Sequence, residues 1–178
     1  MGNVHASCPL IFAPKECYSP QEASVNKMWG YTAQLYSLRS NNNWGMGDFT
    51  DLFELVEKSV EQQASTIGLN PLHPLYQQNP VHRSPYSPSS RCFLNPLYID
   101  VTKIPNFELC ELVQKKVKNK KFQENITNAK TSQFVDYPAV AHLKYQITEM
   151  LFEDFSHNKK NSYELMSSEF EDFKQQKG

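Results

Sequence analysis

Trp44, Asp48, His73, Ser84 and Tyr86 are the residues whose types and positions could do chemistry, because they fall in two stretches rich in turn-forming residues. An aromatic ring offers an apolar face; a carboxylate, an imidazole and a hydroxyl offer directional hydrogen bonds. Pyranose rings present both kinds of surface, so this set fits sugar recognition. Trp44 and Tyr86 read equally well as packing anchors for long loops. Other chemistries fit the spacing less well. A zinc site built on His73 and His82 lacks a third ligand, and Cys92, the nearest thiol, reads better as core. Ser84, Ser87, Ser89 and Ser90 stand outside the Gly-x-Ser-x-Gly turn that exposes a nucleophilic serine. Gly45 and Gly47 lack the third glycine of a dinucleotide fingerprint, and Asp48 would repel a pyrophosphate. No metal and no cofactor is expected.

The elements that must position these residues follow from periodicity. Residues 29–38 alternate, with Tyr31, Ala33 and Leu35 on one face, and read as a strand. The Asn-Asn-Asn-Trp-Gly-Met-Gly stretch that follows favours turns. Phe49, Leu52, Phe53, Val56 and Val60 then recur at helical spacing, with Asp48 placed to accept hydrogen bonds from the first free amides, which predicts a helix to about Ala64. Residues 65–69 read as a buried strand ending at Asn70-Pro71. Strand, loop, helix, strand is one βαβ unit, and that connection favours a parallel sheet covered by helices. In such a sheet the loops at the carboxyl ends of the strands form the binding face, which would gather Trp44, Asp48, His73 and Tyr86.

Residues 70–93 form a proline-rich loop longer than ordinary connections, and such loops are commonly functional. Residues 97–101 read as a further strand or extended segment. Asn-Pro-Leu occurs at both 70–72 and 95–97, which reads as coincidence, since one tripeptide does not make a repeat. Helices are expected over 107–117 and 163–173, and behind Pro138, where Val140, Leu143, Ile147, Met150 or Leu151, and Phe155 make one apolar stripe.

The 178 residues carry a formal charge of −1, which argues against nucleic acid or anionic lipid as a dominant partner. Five lysines between Lys115 and Lys121 lack interleaved aromatics and arginine forks, and read as a solvated helix end. No apolar run is long enough to span a membrane, and the amino terminus matches neither a secretory signal nor a myristoylation site, because Ala6 stands where Ser or Thr is needed. A cytoplasmic protein is expected. Cys8, Cys17, Cys92 and Cys110 lack knuckle or redox spacing and read as buried or half-buried thiols. Nine of the eleven prolines and both tryptophans precede residue 100, so shaped loops come first and helices follow.

Five ordered blocks carry a family resemblance: Trp29 to Ser40, Asn43 to Phe49, Ile67 to His73, Ser84 to Arg91 and Tyr98 to Val101. The chain resembles the bacterial amylomaltases, the 4-alpha-glucanotransferases of glycoside hydrolase family 77, from about residue 10 to residue 178. The resemblance implies a (β/α)8 TIM-type barrel. It also implies a retaining double displacement in which an α-1,4-glucan segment is held covalently and passed to the 4-hydroxyl of an acceptor sugar. That chemistry needs two carboxyl groups about 5–5.5 Å apart. Outside the amphipathic helix, Asp48 and Asp100 are the acidic residues of 29–101, and neither matches the family's nucleophile or acid/base motif.

The expectation is therefore an incomplete barrel, α/β in class, holding the first two or three parallel strands and no catalytic residue. Residues 1–27 would end a preceding linker or small domain, and residues 28–178 would begin the barrel, with a helical insertion at about 104–178. By resemblance Tyr86 and Ser84 contact sugar near the cleavage point, while Trp44 and Asp48 partly build the loop. Maltodextrins and other α-1,4-glucans are the implied partners, together with the remainder of the barrel. A non-catalytic maltodextrin-binding or fragment-complementing role is the alternative.

Overall fold

The computed structural model describes residues 8–18, 27–76, 78–79, 82–157 and 164–177. Strands β1 (Gly30–Ala33) and β2 (Thr66–Leu69) pair in parallel, Gly30 opposite Thr66 and Ala33 opposite Leu69. Helix α1 (Phe49–Glu61) connects them. After a long loop come α2 (Glu111–Val117), α3 (Lys120–Thr131), α4 (Tyr137–His157) and α5 (Glu164–Lys177). The expected βαβ order is present, with a shorter first strand. β1 stops at Ala33 because Asn70 Oδ1, just beyond β2, captures the Leu35 amide at 2.9 Å, and residues 35–37 coil into a 3-10 turn.

Helix α1 starts where the sequence places it. Asp48 Oδ1 accepts from the amides of Thr50 and Asp51 at 3.1 and 3.4 Å, and Asp51 Oδ2 accepts from the Asp48 amide at 2.8 Å, a reciprocal cap. It ends three residues before the expected Ala64, because Gln63 adopts the left-handed conformation that closes helices, with φ 59°.

The hydrophobic core lies among the helices, not on the sheet. Val140, Leu143, Ile147 and Leu151 of α4 are buried as the stripe predicts, against Val113 of α2 and Phe122, Ile126 and Ala129 of α3. Leu35, Trp44 and Met46 join that core from the segment after β1. The sheet contributes no fully buried side chain. Tyr31, Ala33, Ile67 and Leu69 are half-buried on one face, and the other face, Gly30, Thr32, Thr66 and Gly68, is exposed.

Three expectations are corrected. Residues 97–101 are not a strand, since Asn95 and Asp100 each bond the amide two residues on, turning Pro96–Tyr98 and Val101–Lys103 into 3-10 turns. The helix expected from Phe107 begins only at Glu111, after a turn in which Asn106 takes φ 64°. Cys110 is buried, but Cys8, Cys17 and Cys92 are exposed, because they sit on loop segments outside the helical core. Residues 8–18 carry no helix or strand and are exposed. The amino-terminal lipidation motif and Tyr163 lie outside the described residues.

The segment 43–48 crosses the core only because of its glycines. Gly45 has φ +94°, and a Cβ there would meet the Ala129 backbone at 2.7 Å; a Cβ on Gly47 would sit 2.1 Å from the Leu35 carbonyl oxygen. At Gly68 the nearest atom would be 3.6 Å away. Gly47→Ala is therefore expected to cost about 1–3 kcal/mol, the range for overpacking, while Gly68→Ala leaves stability unchanged or slightly raised. Urea unfolding of the two variants beside the parent measures the contrast.

Candidate functional site

The expected site residues occupy two environments. Trp44 and Asp48 lie in the interior, within a run from Asn43 to Asp48 that is buried throughout. The Trp44 ring meets Phe122 edge-on at 5.6 Å, which matches the packing-anchor alternative. Arg39 Nη1 donates to the Gly45 carbonyl at 2.6 Å within the loop and its Nη2 to the Ser132 carbonyl at 3.5 Å just beyond α3, while Lys130 Nζ of α3 donates to the Asn41 carbonyl at 2.6 Å. Asn43 Nδ2 donates to Asp51 Oδ2 at 2.9 Å, joining the same segment to the cap of α1.

Asp48 also faces Lys144, which projects from α4 with 2% of its side chain exposed. Lys144 Nζ donates to the carbonyls of Leu97 and Ile99 at 2.8 and 2.7 Å and lies 3.4 Å from Asp48 Oδ2. Burial pushes the Asp48 carboxyl above its ordinary value, opposed by the neighbouring ammonium; burial pulls Lys144 down, opposed by Asp48. Asp100 is occupied as well, accepting from Thr102 N, Thr102 Oγ1 and Thr50 Oγ1 at 2.7–3.0 Å.

Ser84 and Tyr86 stand on a strap of quite different character. Its legs are zipped together: the Ser89 amide and hydroxyl both donate to the Pro74 carbonyl, at 3.0 and 3.1 Å, and the Asn95 amide donates to the Leu72 carbonyl at 2.8 Å. The tip turns at Ser84, whose carbonyl accepts from the Ser87 amide at 3.2 Å, and presents Tyr86 with 70% of its surface exposed. The Arg83 guanidinium lies 6.0 Å from the Tyr137 ring centre, and His82 meets the Tyr76 ring edge-on at 5.1 Å. His73 is half-buried on the first leg, and its Nδ1 is buried without a hydrogen-bond partner. Among the described residues no three His, Cys, Asp or Glu side chains are grouped to hold a metal ion. No helix among them is long and apolar enough to cross a membrane.

The sequence profile of glycoside hydrolase family 77, 4-alpha-glucanotransferase, matches residues 33–178. The chain belongs to this family. It is 44% identical over 146 residues to a 4-alpha-glucanotransferase of Haemophilus influenzae, covering 82% of this chain and 21% of that protein. A 4-alpha-glucanotransferase of Mycobacterium tuberculosis is 39% identical over 118 residues, covering 62% of this chain and 16% of the relative. Among solved structures, amylomaltase from Corynebacterium glutamicum superposes with a TM-score of 0.66 at 31% identity, over 80% of this chain and 20% of that one. The chain thus spans about a fifth of the length of these relatives.

Two residues that organise this glucanotransferase-family segment escape a reading by pattern. Lys144 sits inside the apolar stripe of α4, where helical periodicity treats a lysine as an interruption. Asn70 bonds Leu35 N, the Pro71 carbonyl and, at 3.5 Å, the Tyr98 hydroxyl, so it links the segments that follow both strands. The repeated Asn-Pro-Leu does not announce it, because Asn95 Oδ1 bonds the local Leu97 amide at 3.0 Å whereas Asn70 Oδ1 reaches the distant Leu35 amide.

Lys144→Ala leaves the Asp48 carboxylate buried without its counter-ion and is expected to cost about 3–5 kcal/mol. Asp48→Asn with Lys144→Met should lose less than the two single losses added together, as urea midpoints of the four proteins will read. The pH dependence has a definite sign. Because the folded chain holds the Asp48 proton above the ordinary value of 3.8, stability from this group is fully present below pH 3.8 and is lost as pH rises through the raised value. Asp48→Asn, which keeps the cap, should flatten that part of the curve when midpoints are taken at pH steps upward from 3.8.

Proposed function

We propose that this chain is the substrate-strap portion of a 4-alpha-glucanotransferase, a beginning of its (β/α)8 barrel that presents sugar-binding loops while other parts of the enzyme supply the catalytic carboxylates. The observation that carries the reading is the family match over residues 33–178, with 44% identity to the H. influenzae relative. The exposed Tyr86 on a strap with a stapled base supports it: an aromatic face held in water suits the apolar face of a glucose unit, with the Ser84 hydroxyl and the His73 imidazole offering polar contacts. Trp44 and Asp48 act from beneath, by fixing the base on which the strap stands.

A glycosyl transfer of the retaining kind needs one carboxylate to attack the anomeric carbon and one carboxylic acid to protonate the departing oxygen, about 5–5.5 Å from it. Asp48 is engaged with a helix cap and Lys144, and Asp100 with two threonines. Neither is free to attack. The proposed reaction therefore passes a maltodextrin segment to an acceptor glucan, in cytoplasmic glycogen and maltodextrin metabolism, only where the remainder of the barrel is joined to this segment. Exposed Tyr86 and the unfinished sheet also favour a second reading, in which the chain binds maltodextrin or complements a barrel fragment without turnover.

Incubated alone with maltotriose, the purified chain should yield neither glucose nor longer maltodextrins by chromatography. Glucose release would overturn the assignment of catalysis to other parts of the enzyme. Calorimetric titration with maltoheptaose should give heat that Tyr86→Ala abolishes while the melting temperature stays put, because the side chain is exposed. Equal heats from the two folded proteins would remove Tyr86 from the binding surface.

A further inference from the structure

Helix α1 packs Phe49 and Leu52 against the core but leaves a second apolar strip in water. Its buried residues are the polar Asp51 and Ser59, whereas Phe53, Val56 and Val60 are 62%, 42% and 68% exposed. These three stand at spacings of three and four, so they form one apolar stripe along the helix. The stripe borders an open groove of about 760 Å³ whose apolar floor is made by Phe49, Phe53, Ile99, Ile104 and Pro105. Glu54, Glu57 and Asp100 line it against a single Lys103, which leaves it net acidic.

We propose that this stripe and groove seat an amphipathic helix with Lys or Arg beside its apolar face, contributed by the βα unit that extends the β1–β2 sheet in a glucanotransferase. The inference rests on the family reading above and names the surface at which the rest of the enzyme joins, whether that part is continuous with this chain or separate. Parallel strands can be added only with crossover connections, usually helices, and those helices cover the sheet. A strand added beside β1 or β2 therefore brings a helix into the layer that α1 occupies. The relatives have the material, since this chain matches about a fifth of their length. A second copy of this chain is the poorer occupant, because a two-fold contact sets the same acidic groove against itself.

The test compares Phe53→Glu/Val56→Glu with a control, Leu109→Glu/Leu112→Glu, whose parent side chains are 76% and 70% exposed on and beside α2. Each pair is made in this chain and in a chimera that joins, after Gly178, the part of the H. influenzae enzyme following its matched segment. In the isolated chain both pairs should leave the melting temperature within about 2 °C. In the chimera, Phe53→Glu/Val56→Glu should lower it by about 8 °C or more, with the control pair unmoved. Should the chimera fail to fold, Glu at the aligned positions of the H. influenzae enzyme gives the same readout.

Equal behaviour of the two pairs in the longer protein overturns the proposal. So does a concentration-dependent dimer of the isolated chain that Phe53→Glu/Val56→Glu abolishes. Melting is read without substrate. A chimera that disproportionates maltotriose but ignores the stripe variants would defeat the docking surface alone, and an inactive chimera that melts early with them would defeat the functional reading alone.

Discussion

A lysine amine buried between two helices and a turn is the constraint on which the rest of this molecule depends. An unpaired ammonium in a protein interior is costly, and so is an unpaired carboxylate. Lys144 and Asp48 offset one another, and the amine takes two further carbonyls, those of Leu97 and Ile99. The geometric consequence outweighs the energetic one. One atom fixes α4, the amino end of α1 and the turn at residues 96–99 relative to each other, and none can shift without stranding a charge or a carbonyl.

What the sequence presents as a loop after β1 is thereby part of the core. Asn43 to Asp48 runs through the interior, threaded by glycines where a Cβ would strike Ala129 or Leu35 and held by Asn43, Arg39 and Lys130. Asn70 adds a link between the segments that follow the two strands. The strap carrying Ser84 and Tyr86 thus rises from a stiff foundation although its tip is open to solvent. Rigid legs under an exposed aromatic reduce the ordering cost of any contact made there, and that cost sets much of the affinity of a polar, wet surface.

Regularity decided what was legible beforehand. The α4 stripe from Val140 to Leu151, the Asp48 cap and the strand–helix–strand order are periodic or stereotyped local signals, and each could be read from spacing. The misreadings share a different cause. At residues 97–101 the apolar alternation suggests a strand, yet Asn95 and Asp100 bond local amides and coil the chain. Lys144 looks like a break in an apolar face, because its partners lie 45 to 96 positions away in sequence. Trp44 and Tyr86 were indistinguishable by type, and only burial separates a packing anchor from an exposed ring. The resemblance blocks pointed to the family without saying which side of each segment faces water.

The two halves of the chain differ in how far they satisfy themselves. The helices α2 to α4 enclose a core of their own, with Val113, Val140 and Ile147 sealed from solvent. The sheet does not: two strands of four residues leave one face of glycine and threonine bare, and two-stranded sheets are marginal in water even when one face is covered. Buried polar contacts at the top of the sheet, through Asn70 and the Asp48–Lys144 pair, hold the strands to the helical half and so preserve a register that their own packing could not. The strap carrying Ser84 and Tyr86 is built on that junction, which makes the helical half a support for the loops as much as a module in its own right.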